Sequence, residues 1–194
     1  SVQVRSKFKS NEYEGLFLSW IVQTNDFYPK LSLRSKDTNF DNILFNHNDW
    51  NLYHDMIETS NSRSLVALLK WIDEATERTL ADTIGVEPGD MYRMVESAEW
   101  LLYSLGEIAK LFKIQNLVHE IQVLKIRMKF GIKKELIPLI YFQGIGRIRA
   151  RALFDAGIIN GEKISDTSES NLGAIPKIGP ALAKKLKEQI NQKK

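Results

Sequence analysis

The chain has 194 residues, 43% hydrophobic and 26% charged, with a formal net charge of +3. That balance is the ordinary one of globular chains and excludes wholesale disorder and collagen-like repeats. Cys is absent, which excludes disulfides, thiolate metal sites and cysteine nucleophiles and points to a reducing, cytoplasmic setting.

The opening string SVQVRSKFKSNEYEG lacks the apolar centre of a secretory signal. No apolar run approaches the ~18 residues that a membrane span needs, so no membrane partner is expected. Glu12–Asn25 reads as an apolar helix, and Lys30–Ser35 after Pro29 has the alternating character of a short strand. Asp37–Phe45 and Asp49–Glu58 read as amphipathic helices, each opened by an Asp suited to capping. Thr59–Arg63 is a polar break in which Asn61 or Ser62 can cap the next helix. That helix places Leu65, Leu68, Leu69 and Ile72 on one face. Thr76–Ile84 is short and stops at Gly85. The longest helical pattern runs from Asp90 to about Phe112, and another covers Gln115–Phe130 with Gly131 as its C-terminal cap. His47, His54 and His119 lie far apart without metal-binding spacing, so no metal ligands and no catalytic residues are expected.

Charge changes sign at Gly131. Residues 131–194 hold 12 Lys/Arg against 6 Asp/Glu, whereas residues 1–130 hold 15 against 18. A basic third on a mildly acidic body suggests a polyanion-binding surface; the alternative is a solvated Lys-rich tail. The boundary is placed at 128–133, giving domains 1–130 and 131–194. The expected fold is all-α, a helical bundle followed by a small domain of short helices punctuated by Gly.

Within that basic third, Gly144-Ile145-Gly146 is followed four residues on by Ala150. Lys177-Ile178-Gly179 repeats the arrangement with Ala183, 33 positions later. Each copy reads helix, tight apolar-Gly turn, helix. Glycine lets such a turn expose amide N–H groups, and they lie where a helix begins and its first N–H groups lack partners. A phosphate oxygen satisfies them without any base being read. Arg147, Arg149 and Arg151 flank the first turn; Lys177, Lys184, Lys185 and Lys187 flank the second. The pair resembles the tandem helix-hairpin-helix module of DNA repair and recombination proteins, with Lys177 standing where the first Gly belongs. The other reading is that the repeat simply packs the subdomain and binds a protein.

The long helix carries the second constellation. With Arg93 at zero on a wheel of about 100° per residue, Met94, Ala98, Leu101, Leu102, Leu105, Ala109 and Phe112 fall between about 80° and 180°. Trp100 falls near about 340°, with Ser97 and Ser104 on the same polar side. Either another domain covers Trp100 or it is a base-stacking platform. Arg93 and Trp100 are seven residues apart, about 10.5 Å along the axis, and both present flat π surfaces suited to stacking bases. Trp20, Trp50 and Trp71 are assigned to packing.

The string RTLADTIGVEPGDMYRMVESAEWLLYSLGEIAKLF, then GIKKELIPLIYFQGIGRIRARALFDAGI, resembles the C-terminal region of the archaeal Hjm-type helicase, a superfamily-two DNA repair enzyme. GLFLSWIVQTNDFYPKLSLRSKD is similar to the opening of that family's helical domain, so the resemblance spans about residues 12–190. It implies that the long helix is a ratchet helix lying across a single strand, with Arg93 and Trp100 as its base contacts. It also implies that Arg149-Ala150-Arg151 belongs to a helix-hairpin-helix domain that grips the 3′ strand and restrains unwinding. The chain has no GxxxxGK(S/T) phosphate loop, and the helicase-like DEAT at Asp73–Thr76 merely ends a helix. ATP and magnesium are thus implied for absent motor domains alone. Expected partners are single-stranded and forked DNA and the motor domains of the parent protein, with the chain a monomer. Two other readings remain: a helix-turn-helix reader of duplex sequence, disfavoured by Glu96 and Glu99 beside Arg93, and a protein-docking adaptor.

Overall fold

The computed structural model describes residues 12–32, 34 and 59–192. The described residues are all-α: ten α-helices and no strand. They fall into two compact units, 1–131 and 132–194.

In the first unit, α1 (Glu12–Gln23), α2 (Ser62–Ile72), α3 (Glu77–Ile84), α4 (Pro88–Leu111) and α5 (Gln115–Phe130) surround one core. Phe17, Leu18, Leu65, Leu68, Ile72, Met94, Leu102, Leu124 and Met128 fill it. Local chemistry sets the helix ends. Thr76 caps α3 by accepting from the Thr79 N–H, and Gly85 closes it in the left-handed region at φ 72°. Pro88 opens α4 at a position where its missing N–H costs nothing. Asn61 occupies the N-cap position of α2 but makes no side-chain cap bond. Gly131 closes α5 at φ 61°, as its place in the sequence indicates.

Two buried arginines tie the helices together. Arg127 pairs with Glu14 and lies 3.9 Å from Asp73, which joins α5 to α1 and the end of α2. Arg63 donates to the carbonyls of Ile84, Gly85 and Ser32, collecting the open end of α3 and the loop after α1.

The strand expected at Lys30–Ser35 is absent from its described residues, 30–32 and 34. The Leu31 N–H donates to Ser64 Oγ (2.9 Å) and the Ser32 carbonyl accepts from Arg63 Nη1 (2.7 Å). Side chains of α2 thus supply the partners that a neighbouring strand would have offered. The helices expected at Asp37–Phe45 and Asp49–Glu58, with Trp50, lie outside the described residues.

The second unit is built from α6 (Ile137–Ile140), α7 (Arg147–Asp155), α8 (Gly161–Asp166), α9 (Glu169–Ala174) and α10 (Gly179–Gln192). Asn160 and Ser168 cap α8 and α9 through their side chains. Leu136, Leu139, Phe142, Ile145, Leu153, Ile164, Leu172, Ile178 and Leu186 form its interior.

Candidate nucleic-acid interface

The first candidate surface is one side of α4. Its buried residues are Met91, Met94, Val95, Ala98, Leu102, Gly106 and Ala109, an arc of about 100° to 220° with Arg93 at zero. Leu101 and Leu105 pack only partly against the core. The arc is rotated from the expected stripe because Gly106 brings α4 close to α5, where its Cβ position is 3.5 Å from Ile121 Cγ2. Phe112, placed in that stripe by periodicity, is 73% exposed. It is the cap residue, and the chain leaves helical geometry right after it at Lys113, φ 56°.

Trp100 lies opposite the buried arc and is 58% exposed. Two turns before it, Arg93 lies on the same side, its Nη2 2.5 Å from Asp90 Oδ1. That carboxylate offsets the charge while the guanidinium plane remains available, a state suited to stacking more than to gripping phosphate. Tyr92, Tyr103, Ile108 and Leu111 are also exposed along α4. A hydrogen bond from its hydroxyl to Glu96, with the nearby negative charge, raises the Tyr92 pKa above its usual value.

Sequence reasoning passed over Tyr28, which the fold brings to this side. Its N–H donates to Ser97 Oγ, between Arg93 and Trp100, and the Arg93 guanidinium lies 5.9 Å from its ring centroid. Only the chain's return onto α4, about 70 positions along, reveals it. Of the tryptophans assigned to packing, Trp71 is half-buried and its Nε1 donates to the Met128 carbonyl. Trp20 is instead 40% exposed, touching Phe17 at its edge, because its side of α1 turns away from the core.

The second surface lies within the second unit. Its two glycine turns share a backbone: Phe142 and Ile175 donate to Leu139 and Leu172, and Ile145 and Ile178 donate to Phe142 and Ile175. Every residue of the second set is 33 positions after its counterpart. Gly144 has φ 84°, and Lys177, its counterpart, takes φ 71° despite its side chain. The left-handed conformation is thus kept at some local cost. The copies part at the third position, where Gly179 has φ 72° and Gly146 does not enter that region. Ile145 and Ile178 are buried in the turns, and Ala150 and Ala183 are fully buried where the helices approach.

The cations of this surface divide into two groups. Arg149 donates from Nη1 to the Gly144 carbonyl (2.8 Å) and from Nε to the Lys177 carbonyl (3.1 Å), joining both turns. Arg151 pairs with Glu135 (2.9 Å) and Asp155 (3.4 Å) and lies over the Phe154 ring. Lys187 donates to the Ser165 carbonyl. Lys177, Lys184 and Lys185 are exposed, and Arg147 is half-exposed at the start of α7. A cleft of about 660 Å³, lined by Gln143, Gly144, Arg149, Ile178, Lys185 and Gln189, opens between the first turn and α10. Among the described residues no group of His, Cys, Asp or Glu could hold a metal ion. Nor is any described helix long and apolar enough to cross a membrane.

Comparison with known proteins gives a family match and several relatives. Residues 16–131 match the family described as archaeal helicase, domain 4. The chain is 46% identical over 118 residues to the ATP-dependent DNA helicase Hel308 of Pyrococcus abyssi, covering 60% of this chain and 16% of that protein. It is 39% identical over 131 residues to Hel308 of Pyrococcus horikoshii, covering 67% and 18%. With Hel308 of Aeropyrum pernix it shares 38% over 136 residues, covering 70% and 18%. The match thus spans less than a fifth of each relative's length.

Proposed function

Because the chain belongs to the archaeal helicase domain 4 family, we propose that it is the strand-handling C-terminal part of an ATP-dependent 3′→5′ DNA helicase acting in replication-fork repair and recombination. The observation that carries this reading is the solvent-facing side of α4, where Arg93 and Trp100 stand two turns apart opposite the core. Flat side chains at that spacing accept the bases of a single strand lying along the helix, without regard to sequence. In the terms of the resemblance, α4 is the ratchet helix.

The second unit serves as a helix-hairpin-helix domain that holds phosphates of single-stranded or forked DNA. The Ile145 and Ile178 N–H groups are engaged within the turns, so the amides of Gly144, Gly146, Lys177 and Gly179 and the side chains of Arg147, Lys177, Lys184 and Lys185 make those contacts. Arg149 acts there mainly by fixing the turns, and Arg151 by tying α7 to Glu135. The motor domains, with their ATP and magnesium, belong to the remaining length of the parent protein. The exposed Ile108, Leu111 and Phe112 at the end of α4 favour a protein contact there as well. A duplex-sequence reader finds little support on α4, where Asp90, Glu96 and Glu99 accompany Arg93.

The test is a titration of the intact chain with oligo(dT) and with a random duplex, without ATP. Single strands should bind more tightly and quench tryptophan fluorescence. Trp100→Ala should weaken that binding by ~1–3 kcal/mol while changing stability by under ~1 kcal/mol, since an exposed ring leaves no cavity. A Trp100 variant with a lowered melting temperature and unaltered oligo(dT) affinity would remove the assignment.

A further inference from the structure

Tyr28 is 65% exposed, yet its position is firmly fixed. Phe27 before it is buried in the core, and Leu31 three residues on is buried too. Its N–H donates to Ser97 Oγ at 3.1 Å, and the same hydroxyl donates to the Asp26 carbonyl at 3.2 Å. One serine of α4 thus accepts from and donates to the backbone that carries this ring. Ser97 is four residues after Arg93 and three before Trp100, on the side of the helix that they share. The Arg93 guanidinium, 5.9 Å from the Tyr28 centroid, completes the group. Single exposed aromatics are ordinary on protein surfaces. An aromatic ring held in water by buried anchors, against a cation and anchored to the helix side that carries a second exposed ring, is prepared for a flat ligand.

We infer that Tyr28 is a third base-stacking residue of this surface, and that Ser97 is its positioning residue. The inference rests on the single-strand reading of α4 given above. The ligand is a DNA single strand of any sequence. One base lies against the Tyr28–Arg93 pair and another against Trp100, and stacking tolerates every base because each has a π face. Ser97 holds the loop, so the ring is in place before the strand arrives and little ordering is required on binding.

The competing role for Tyr28 is to orient Arg93, and two comparisons separate them. Binding of the intact chain is measured by anisotropy with labelled oligo(dT) and with an abasic strand of equal length and charge. Tyr28→Ala should weaken oligo(dT) binding about fivefold or more, Tyr28→Phe should bind as the parent does, and abasic binding should stay unchanged. The loss should persist when Tyr28→Ala is added to Arg93→Ala, since a ring that stacks on its own does not need the guanidinium. Ser97→Ala should give a smaller loss confined to oligo(dT).

No further loss in the Arg93→Ala background would overturn the inference and leave Tyr28 as a support for Arg93. Equal loss on both strands would overturn it too, because stacking cannot act on a strand without bases. Trp100→Ala is measured in parallel. Weakened binding by that variant with parental binding by Tyr28→Ala removes this inference and leaves the reading of α4 standing. Parental binding by both variants removes both.

Discussion

Arg149 shows how a residue's chemistry can fit one role while its surroundings assign another. Its place beside a glycine turn suits phosphate binding, yet Nε and Nη1 are engaged by the carbonyls of Lys177 and Gly144. The two carbonyls are met by two separate nitrogens of one rigid, planar fork, a spread that the single nitrogen of an ammonium does not reproduce. Arg149→Ala should therefore lower the melting temperature, by about 1 kcal/mol of stability for exposed charge-assisted bonds, and Arg149→Lys should not restore it. Lys184 and Lys185 should behave in the opposite way. Replacing both with Ala should leave melting unchanged and flatten the dependence of log K on log salt by up to about 1.5 for single strands. An unchanged slope would place these lysines away from the DNA. The departure at Lys177 is milder than its identity suggests, since its φ of 71° keeps the turn that Gly144 makes at φ 84°.

Among elements, α5 depends on how it ends and on what it buries. At Gly131 an added Cβ would sit 2.6 Å from the Trp71 ring, and φ is 61°. Gly131→Ala should cost ~2 kcal/mol or more by combining overlap with left-handed strain. Gly89, in the first turn of α4, has nothing within 4 Å of its Cβ position. Gly89→Ala should be neutral or stabilising by up to ~1 kcal/mol, which makes the pair a matched comparison by thermal melting. Arg127 carries the other constraint: it is 4% exposed and faces Glu14 of α1. Arg127→Ala should destabilise by ~3 kcal/mol or more, because Glu14 would be left without its cation. A loss below ~1 kcal/mol in chemical denaturation would show that water reaches that pair readily.

At the scale of the whole molecule, the chain covers 16–18% of the length of the helicases named above. It has no phosphate loop of the GxxxxGK(S/T) kind. Purified chain should therefore neither hydrolyse ATP nor change its DNA affinity when ATP and magnesium are added. DNA-stimulated phosphate release by homogeneous material would contradict this. The resemblance read from the PGD and GIGRIRAR strings and the family match over 16–131 point to the same class, an archaeal helicase. The family match ends at Gly131, so residues 132–194 rest on the resemblance carried by GIGRIRAR and on the glycine repeat and its geometry for their reading.

The sequence by itself determined the helical class, the cap at Gly131, the start of α3 at Thr76 and the placement of Trp100 off the buried stripe of its helix. Each of these follows from spacing within one or two helical turns, where the 3.6-residue period and the first or last free backbone groups act locally. Tertiary structure alone decided the rest. Tyr28 joins the α4 surface through a bond to a serine 69 positions away, and Arg149 reaches a carbonyl 28 positions on. The expected strand near Lys30 dissolved because α2, some 30 positions on, supplies its partners. Phe112 obeys the helical period and still faces solvent, since it is the cap residue and the chain leaves the helix right after it. Periodicity fixes which way a side chain leaves its own helix; what it meets there depends on chain folded back from elsewhere.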